Sequence, residues 1–256
     1  RYKEIMKNKL IITGGLVLTI CVLTKMFGYS YFVSKNDLTE VTLDQAKQSL
    51  ENNYFLELNF ANEVIPIESK KVELKMKKAL KAHSYHQLQT LKLHQRAEVW
   101  FPIIEPILKQ YGIPEDFKYV PLIESGMKRG QYSPKGAAGL WQFMPQTGRD
   151  YGLTVNDKID ERMNVRLSTI AAAKYIKDLH KQFNSWTLAA AAYNGGEGRM
   201  WRQIKAQQQD NYFKLKLNYE TGVYVYSLIS MKEVIEHPEK HGYKIQNARK
   251  LLALNK

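Results

Sequence analysis

No stretch of this 256-residue sequence alternates apolar and polar side chains over more than four consecutive positions. A β-strand with one buried face requires that alternation, because its successive side chains point to opposite faces. Helix-forming residues dominate instead, as in ESKKVELKMKKALKAHSYHQLQTLKLHQRAEVWF at 68–101. Glycine, proline and asparagine interrupt the helical pattern at 112–114 and again at 194–196. The sequence therefore predicts an all-α fold.

Further helices are predicted from apolar spacing and from start and stop signals. Ser185 is placed to cap WTLAAAAYN, and Leu167, Ile170, Ala173 and Ile176 are spaced to form the buried face of the helix before it. The predicted segments are 41–58, 103–112, 116–126, 160–183, 186–194, 198–207 and 219–236. A hydrophobic content of 44% is enough to give such helices a core.

The N-terminus carries a long apolar run. Residues 10–33 form 24 positions with Lys25 as the only charge, and a helix of that length spans roughly 36 Å, more than the ~30 Å hydrocarbon core of a bilayer. We predict a single transmembrane helix at 10–33. Four basic residues and one acid precede it in residues 1–9, so the positive-inside bias places that flank in the cytoplasm and residues 34–256 outside. A cleaved signal peptide is the alternative, although no clear small-x-small site follows.

The net charge is +13, which favours anionic partners such as nucleic acid, lipid headgroups or a carboxylate-bearing polymer. Export makes nucleic acid the poorest fit, whereas a bacterial cell wall offers peptide stems rich in carboxylates. Three histidines, His83, His86 and His94, lie on predicted helices without a Cys, Asp or Glu to complete a metal site. We interpret them as solvated helix positions and expect neither a metal nor a cofactor.

One carboxylate stands out. Glu124 ends the apolar run YVPLIES, and no other Asp or Glu follows until Asp150. A carboxyl group set among apolar side chains is desolvated, which raises its pKa and suits it to general acid catalysis. Taken alone, Glu124 is better explained as a surface glutamate at a helix end than as a catalytic group.

Three later segments add polar groups. Gln142 follows small residues in GAAGLWQFMP, where a backbone could approach a ligand, and Trp141 in the same segment is better explained by core packing. Tyr193 and Asn194 end a helix, where both polar tips can project into a cleft, or where Asn194 is merely a turn residue. Glu220 lies in the first turn of a helix, a position that complements the helix dipole.

Four segments resemble, in order and spacing, the catalytic motifs of the soluble-lytic-transglycosylase (SLT) family. They are ES (124–125), GLWQFMP (139–145), AAYNGGEGR (191–199) and YETGVYV (219–225). The resemblance extends over roughly residues 60–243 and is greatest to the family's membrane-bound type D branch. The sequence departs from the family pattern in two places, with Met127 and Arg129 after ES and with Gly222 in ETG, and none of these three positions is catalytic in that family.

The resemblance implies an all-α, lysozyme-like domain that cleaves the β-1,4 bond between N-acetylmuramic acid and N-acetylglucosamine in peptidoglycan. Cleavage is expected to be non-hydrolytic and to leave 1,6-anhydro ends. By the family pattern, Glu124 is the sole catalytic acid and base, and Ser133 hydrogen-bonds it. The remaining family positions, expected to contact substrate or line the cleft, are Gln142, Met144, Tyr193, Asn194, Glu220 and Tyr224.

The predicted organisation is a basic cytoplasmic flank at 1–9, the span at 10–33, a helical extension at 34–95, the transglycosylase domain at 96–243 and a tail at 244–256. This places the enzyme in the bacterial inner membrane, with its catalytic domain on the periplasmic side and glycan strands as its partner. Protein partners in a cell-envelope complex are compatible with this placement. Two alternatives stay open: a hydrolytic muramidase using Asp150, Glu197 or Glu220 to hold water, and a catalytically silent peptidoglycan-binding module.

Overall fold

A computed structural model describes residues 54–244, and the chain divides into two compact units, Arg1–Phe55 and Leu56–Lys256. The predicted span at 10–33 and most of the helix predicted at 41–58 lie outside the described residues. Of the helices between residues 54 and 244, none is long and apolar enough to cross a membrane. The helices and strands from residue 59 onward belong to the second unit.

The second unit is built from helices, as the sequence predicts. They are α1 Lys70–His83, α2 Tyr85–Leu88, α3 Lys92–Tyr111, α4 Val120–Ser125, α5 Pro145–Asp150, α6 Val165–Phe183, α7 Trp186–Gly195, α8 Glu197–Gln207 and α9 Tyr219–Glu236. Short 3₁₀ turns occupy Glu115–Tyr119, Glu161–Met163 and Pro238–His241. A two-stranded hairpin, β1 Asn59–Phe60 and β2 Glu63–Val64, is the exception to the all-helical pattern.

Several helix ends lie where the sequence signals place them. Gly112 and Gly126 follow α3 and α4 with φ of 71° and 58°, the left-handed conformation that glycine adopts without a Cβ penalty. The Ser185 side chain accepts a hydrogen bond from the Leu188 amide and caps α7 as predicted. Asn164 does the same for α6, so that helix begins at Val165 rather than at residue 160.

The helix-forming stretch 68–101 is helical, as expected, and is divided into α1, α2 and part of α3, because Ser84 is extended and Gln89 adopts a left-handed conformation. Expectations for two single residues were wrong. Leu167 is exposed, because the first buried positions of α6 are Val165 and Ser168. His94 is buried rather than solvated: its Nε2 pairs with a backbone carbonyl of α9 at 3.2 Å.

The core is organised around α9. This helix is buried on most of its circumference, which requires partners on several sides. It packs against α1 on one side and α7 on another, while α3 packs against α6 and α6 against α7. Helix α1 presents Val72, Met76 and Leu80 to this core, so part of the predicted extension at 34–95 belongs to the same compact unit.

The hairpin also positions α7. Its two-residue turn, Ala61-Asn62, has positive φ at both positions, the geometry of a type I′ turn. The Glu63 carboxylate then accepts hydrogen bonds from the Thr187 amide at 3.0 Å and from the Trp186 amide, at the N-terminus of α7. A carboxylate there satisfies free N–H groups and the positive end of the helix dipole. The hairpin therefore fixes the helix that carries Tyr193 and Asn194.

Candidate active site

Glu124 lies in the last turn of α4. Val120, Pro121 and Leu122 of this short helix are buried, and Gly126 ends it. The next residue, Ser125, is buried, and its hydroxyl donates to the Leu140 carbonyl at 2.9 Å. The bond joins the glutamate-bearing turn to the segment that carries Trp141 and Gln142.

The Glu124 carboxyl group is half-buried, and burial raises its pKa from 4.5 to about 7. The Tyr224 hydroxyl donates to Glu124 Oε1 at 2.6 Å and acts in the opposite direction, since it favours the ionised form. The negative charge of Glu220 adds to the upward shift. Near neutral pH both protonation states of Glu124 are therefore populated, as an acid that must later act as a base requires.

Tyr224 and Glu220 both belong to α9 and are one turn apart, so they lie on the same face. Tyr224 is buried, and burial together with the charge of Glu124 raises its pKa well above the usual value. It is thus a neutral hydrogen-bond donor to the carboxyl. Glu220 is exposed and lies in the first turn of α9, as predicted.

Asn194 links the end of α7 to the start of α9. Its amide nitrogen donates to Glu220 Oε1 at 3.2 Å, and its oxygen accepts from the Thr221 hydroxyl at 3.0 Å. Gly195 is required beside it, because a Cβ there would lie 2.8 Å from Thr221 Oγ1. Asn194 therefore orients Glu220 and does more than end a helix.

The segment 136–143 is held by a buried arginine. Arg162 Nη1 donates to the carbonyls of Gly136 and Phe143, at 2.8 and 2.9 Å, while Asp160 pairs with the same guanidinium. Gly139 packs directly on the Arg162 backbone, since a Cβ would lie 1.9 Å from the Arg162 carbonyl oxygen. The interpretation that these small residues let the backbone approach a ligand is therefore wrong at Gly139, whose close neighbour is protein backbone.

Gln142 has a φ of 51°, and its amide nitrogen donates to the Gly139 carbonyl at 2.8 Å and the Gln131 carbonyl at 3.3 Å. Its side chain thus stabilises the turn that it belongs to. Trp141 is fully buried, as expected, and donates to the Thr169 hydroxyl at 2.9 Å. Met144 is the N-cap residue of α5 and remains 44% exposed, which leaves an apolar side chain on the surface next to this turn.

Tyr193 is half-buried near the C-terminal end of α7. Its hydroxyl donates to the Trp141 carbonyl at 2.7 Å, and burial together with the charge of Glu124 raises its pKa well above the usual value. Its ring contacts those of Phe143 and Tyr175, with centroids 6.3 and 5.3 Å away, and Tyr175 in turn contacts Tyr151 at 4.9 Å. Aromatic rings therefore continue from the glutamate across α6.

Ser133 forms hydrogen bonds within its own loop. Its hydroxyl accepts from the Ala137 amide at 2.9 Å, and its own amide donates to the Ala137 carbonyl at 2.8 Å. Within residues 54–244 the hydrogen bond that Glu124 makes is with Tyr224 and not with Ser133.

Sequence reasoning missed Arg162, Tyr175 and the bonding role of Ser125. Arg162 follows Asp160 in a turn, and its burial depends on carbonyls 19 to 26 residues away that no local pattern connects to it. Tyr175 lies within a helix whose apolar spacing explains it as core. Ser125 belongs to the ES motif, so its position was available, although its partner was not.

Among residues 54–244, no group of three or more His, Cys, Asp and Glu side chains is arranged to hold a metal ion. The chemistry available is that of one carboxyl group of raised pKa, a tyrosine that donates to it, and a neighbouring amide and carboxylate on an aromatic surface.

Comparison with known proteins finds a domain match and several similar proteins. Residues 101–216 match the transglycosylase SLT domain. The chain is 31% identical over 192 residues to membrane-bound lytic murein transglycosylase D of Escherichia coli K12, covering 73% of this chain and 42% of that protein. It is 39% identical over 83 residues to peptidoglycan transglycosylase gp16 of phage T7, covering 31% of this chain and 6% of that protein.

Among solved structures, the 70 kDa soluble lytic transglycosylase Slt70 of E. coli aligns with a TM-score of 0.46 at 19% identity, over 72% of this chain and 32% of that one. The chain spans less than half the length of the type D relative. The domain match includes Glu124 and the segments around Gln142 and Tyr193. Residues 101–216 of this chain are therefore similar to the transglycosylase SLT domain.

Proposed function

We propose that this chain is a peptidoglycan lytic transglycosylase. It cleaves the β-1,4 bond between N-acetylmuramic acid and N-acetylglucosamine without water and leaves 1,6-anhydromuramic ends. The observation that carries the proposal is the state of Glu124, a half-buried carboxyl whose pKa is raised to about 7 and which accepts a hydrogen bond from Tyr224. The match to the SLT domain and the names of the relatives support the same reaction.

The reaction needs one group that donates a proton and then accepts one. Protonated Glu124 gives its proton to the glycosidic oxygen as the bond to C1 breaks, and the substrate's N-acetyl group stabilises the developing oxocarbenium ion. Such substrate assistance is an exception to the rule that glycosidases use two carboxylates. Ionised Glu124 then removes the proton from the C6 hydroxyl as its oxygen bonds to C1. The leaving sugar carries the first proton, and no water is consumed.

Tyr224 stabilises Glu124 in its ionised state. Its hydroxyl donates a hydrogen bond to Glu124 Oε1, which leaves Oε2 to carry the transferred proton. Glu220 favours the protonated state of Glu124, because its negative charge raises the pKa of Glu124. Glu220 is already a hydrogen-bond acceptor of Asn194, a role that differs from holding an attacking water.

The aromatic surface supplies the sugar contacts in this proposal. Tyr193, which lies close enough to feel the charge of Glu124, and its neighbour Tyr175 are half-buried and can offer ring surface to a sugar. Phe143 is buried and packs against both rings. Met144, Gln142, Asn194 and Ser133 are assigned to substrate binding on the family pattern. For Gln142 and Ser133 that role accompanies the hydrogen bonds by which each stabilises its own turn.

Product analysis in ¹⁸O-labelled water tests the reaction directly. Purified murein digested by this chain should give muropeptides that end in 1,6-anhydromuramic acid, about one water lighter than hydrolysed ends and free of ¹⁸O. Hydrolysis would instead place ¹⁸O at the reducing muramic acid. If labelled reducing ends are the main primary product, the enzyme is a muramidase and Glu124 does not act alone.

We further infer a lysozyme-like arrangement for the transglycosylase domain at 96–243 and a membrane anchor at 10–33 preceding the helical extension at 34–95. The apolar run, its basic flank and the description of the type D relative as membrane-bound support the anchor. The catalytic domain then lies on the periplasmic side of the inner membrane. A reporter that works only in the cytoplasm should be silent when fused after residue 256, and an active one would contradict the orientation.

A further inference from the structure

We propose that a pocket between α1 and α9 binds the carboxylate of a peptide stem attached to the glycan strand. The inference rests on the proposed function and adds a substrate group to it. We call this site the stem pocket. It has a volume of about 410 Å³, and its polar lining consists of Lys75, Lys78, His83, Asn218, Tyr219 and Ser227.

The stem pocket has two cationic groups and no acidic residue in its lining. Lys75 and Lys78 are three positions apart on α1, so their side chains lie on the same face. Between residues 54 and 244 neither ammonium group is within ion-pair distance of a carboxylate, whereas Lys77, between them in sequence, pairs with Glu73 at 2.9 Å. Two unpaired cations on one wall of a pocket favour an anionic ligand.

Lys75 is the stronger evidence of the two. It is half-buried, its Nζ donates to the Gly222 carbonyl at 3.1 Å, and it lies 5.3 Å from the centre of the Tyr226 ring. Burial and the neighbouring Lys71 lower its pKa, which means that its positive charge is incompletely compensated. A bound carboxylate would supply the missing counter-charge.

His83 contributes hydrogen bonding rather than charge. Burial lowers its pKa to about 4, so it is neutral at pH 7, and its Nδ1 pairs with the Ser230 hydroxyl at 2.8 Å. Tyr219 is 75% exposed at the rim, where its ring and hydroxyl are free to cover a ligand. The apolar remainder of the lining, from Ala79, Ala82, Leu217 and Val223, suits the small side chains and methylene groups of a peptide.

The position of the stem pocket is the reason for assigning its ligand to the substrate. Tyr219, Val223 and Ser227 form one face of α9, and Glu220 and Tyr224 form the adjacent face, which is rotated by about 100°. The stem pocket and the catalytic carboxyl therefore lie on neighbouring faces of the same helix turns. A strand whose sugar ring lies at Glu124 carries peptide stems on its muramic acids, and these stems end in carboxylates.

The test compares two substrates that differ only in their peptides. One is murein glycan with intact stems, and the other is the same glycan after an amidase has removed them. The wild-type chain should cleave the stem-bearing glycan with the higher kcat/KM. The double variant Lys75→Met/Lys78→Met should lose about tenfold on that substrate and less than twofold on the bare glycan, since partly exposed charge pairs contribute modestly each.

Lys81→Met is the matched control, because it removes one charge from the same helix at an exposed position outside the pocket lining. Lys78→Met alone is the variant with the smaller risk of misfolding, since Lys78 is exposed and, within residues 54–244, makes no hydrogen bond like that of Lys75 with Gly222. Its expected loss on stem-bearing glycan is about threefold.

Equal losses on both substrates, or no loss at all, would overturn the inference while leaving transglycosylase activity intact. If neither glycan yields anhydro products, the proposed function fails. The stem-pocket proposal is then tested separately by a binding measurement. A synthetic stem peptide with free carboxylates should then bind the wild-type chain more tightly than its amidated form does, in a manner that needs both lysines. Lysine-dependent binding to vesicles of anionic lipid, with no binding of the peptide, would also overturn it.

Discussion

Replacing Glu124 by glutamine should abolish activity and, at alkaline pH, make the protein more stable. The amide keeps the shape of the carboxyl, and its oxygen still accepts from the Tyr224 hydroxyl. It can neither donate nor accept the proton that the reaction transfers, and general acid and base groups are typically worth roughly 10² to 10⁴-fold in rate. The stability gain arises from the cost of ionising a carboxyl in this half-buried position.

Proton linkage gives the sign and size of the stability change. The pKa of Glu124 is about 7 in the folded protein against 4.5 as the ordinary value, so between these values the folded state binds more protons than the unfolded state. The free energy of unfolding therefore falls as pH rises from about 4.5 to 7 and stays reduced above 7. At about 1.4 kcal/mol per pKa unit the loss approaches about 3 kcal/mol, and partial solvation reduces it to about 2 kcal/mol.

Urea and thermal unfolding at pH 4 and pH 8 measure this directly. Wild type and Glu124→Gln should coincide at pH 4, whereas at pH 8 the variant should be about 2 kcal/mol more stable. For a unit of this size that is about 4 to 8 °C in Tm. Asp157→Asn makes the same charge change at an exposed loop position. Its stability should differ little from that of wild type at both pH 4 and pH 8. A stability difference that is the same at both pH values would refute the argument from burial.

The pH dependence of kcat/KM should respond to the neighbours of Glu124. Tyr224→Phe removes the hydrogen bond that lowers the pKa of Glu124, so the falling alkaline limb should move up by about 1 to 2 pH units, since a bond to a charged group is worth about 1.5–3 kcal/mol. Glu220→Gln removes a negative charge and should move the same limb down by less than one unit. Tyr226→Phe should leave the limb unmoved, because the Tyr226 hydroxyl is buried without a hydrogen-bond partner among the described residues. Unchanged profiles in the first two variants would show that neither group tunes Glu124.

Local signals predicted most of the helical boundaries. Gly112, Gly126 and Ser185 act through their own backbone or side-chain chemistry, which does not depend on the rest of the fold. The division of 68–101 into three helices could not be predicted in this way. Ser84 and Gln89 are compatible with a helix, and the turns there allow α1 to pack on α9 while α3 packs on α6, a tertiary requirement that overrides helix propensity.

The candidate site shows the same division between local and tertiary causes. Glu124 was found because its apolar setting is local in sequence, and the upward shift of its pKa results from that setting. Its hydrogen-bond partner was not found in this way, because Tyr224 is 100 residues away and only the packing of α9 beside α4 brings the two together. The burial of His94 escaped prediction for a similar reason, since its Nε2 partner is a carbonyl of α9.

Helix α9 carries both the groups that act on the pKa of Glu124 and one wall of the stem pocket. The pKa of Glu124 reflects a balance in which burial and Glu220 raise it and Tyr224 lowers it, and two of these three influences come from one turn of α9. The adjacent face of that turn lines the stem pocket, where Lys75 donates to the Gly222 carbonyl between Glu220 and Tyr224 in sequence. A ligand that draws the Lys75 ammonium group away from this carbonyl would alter the segment that carries Glu220 and Tyr224. On the proposed function, stem binding and the pKa of Glu124 are therefore expected to be coupled.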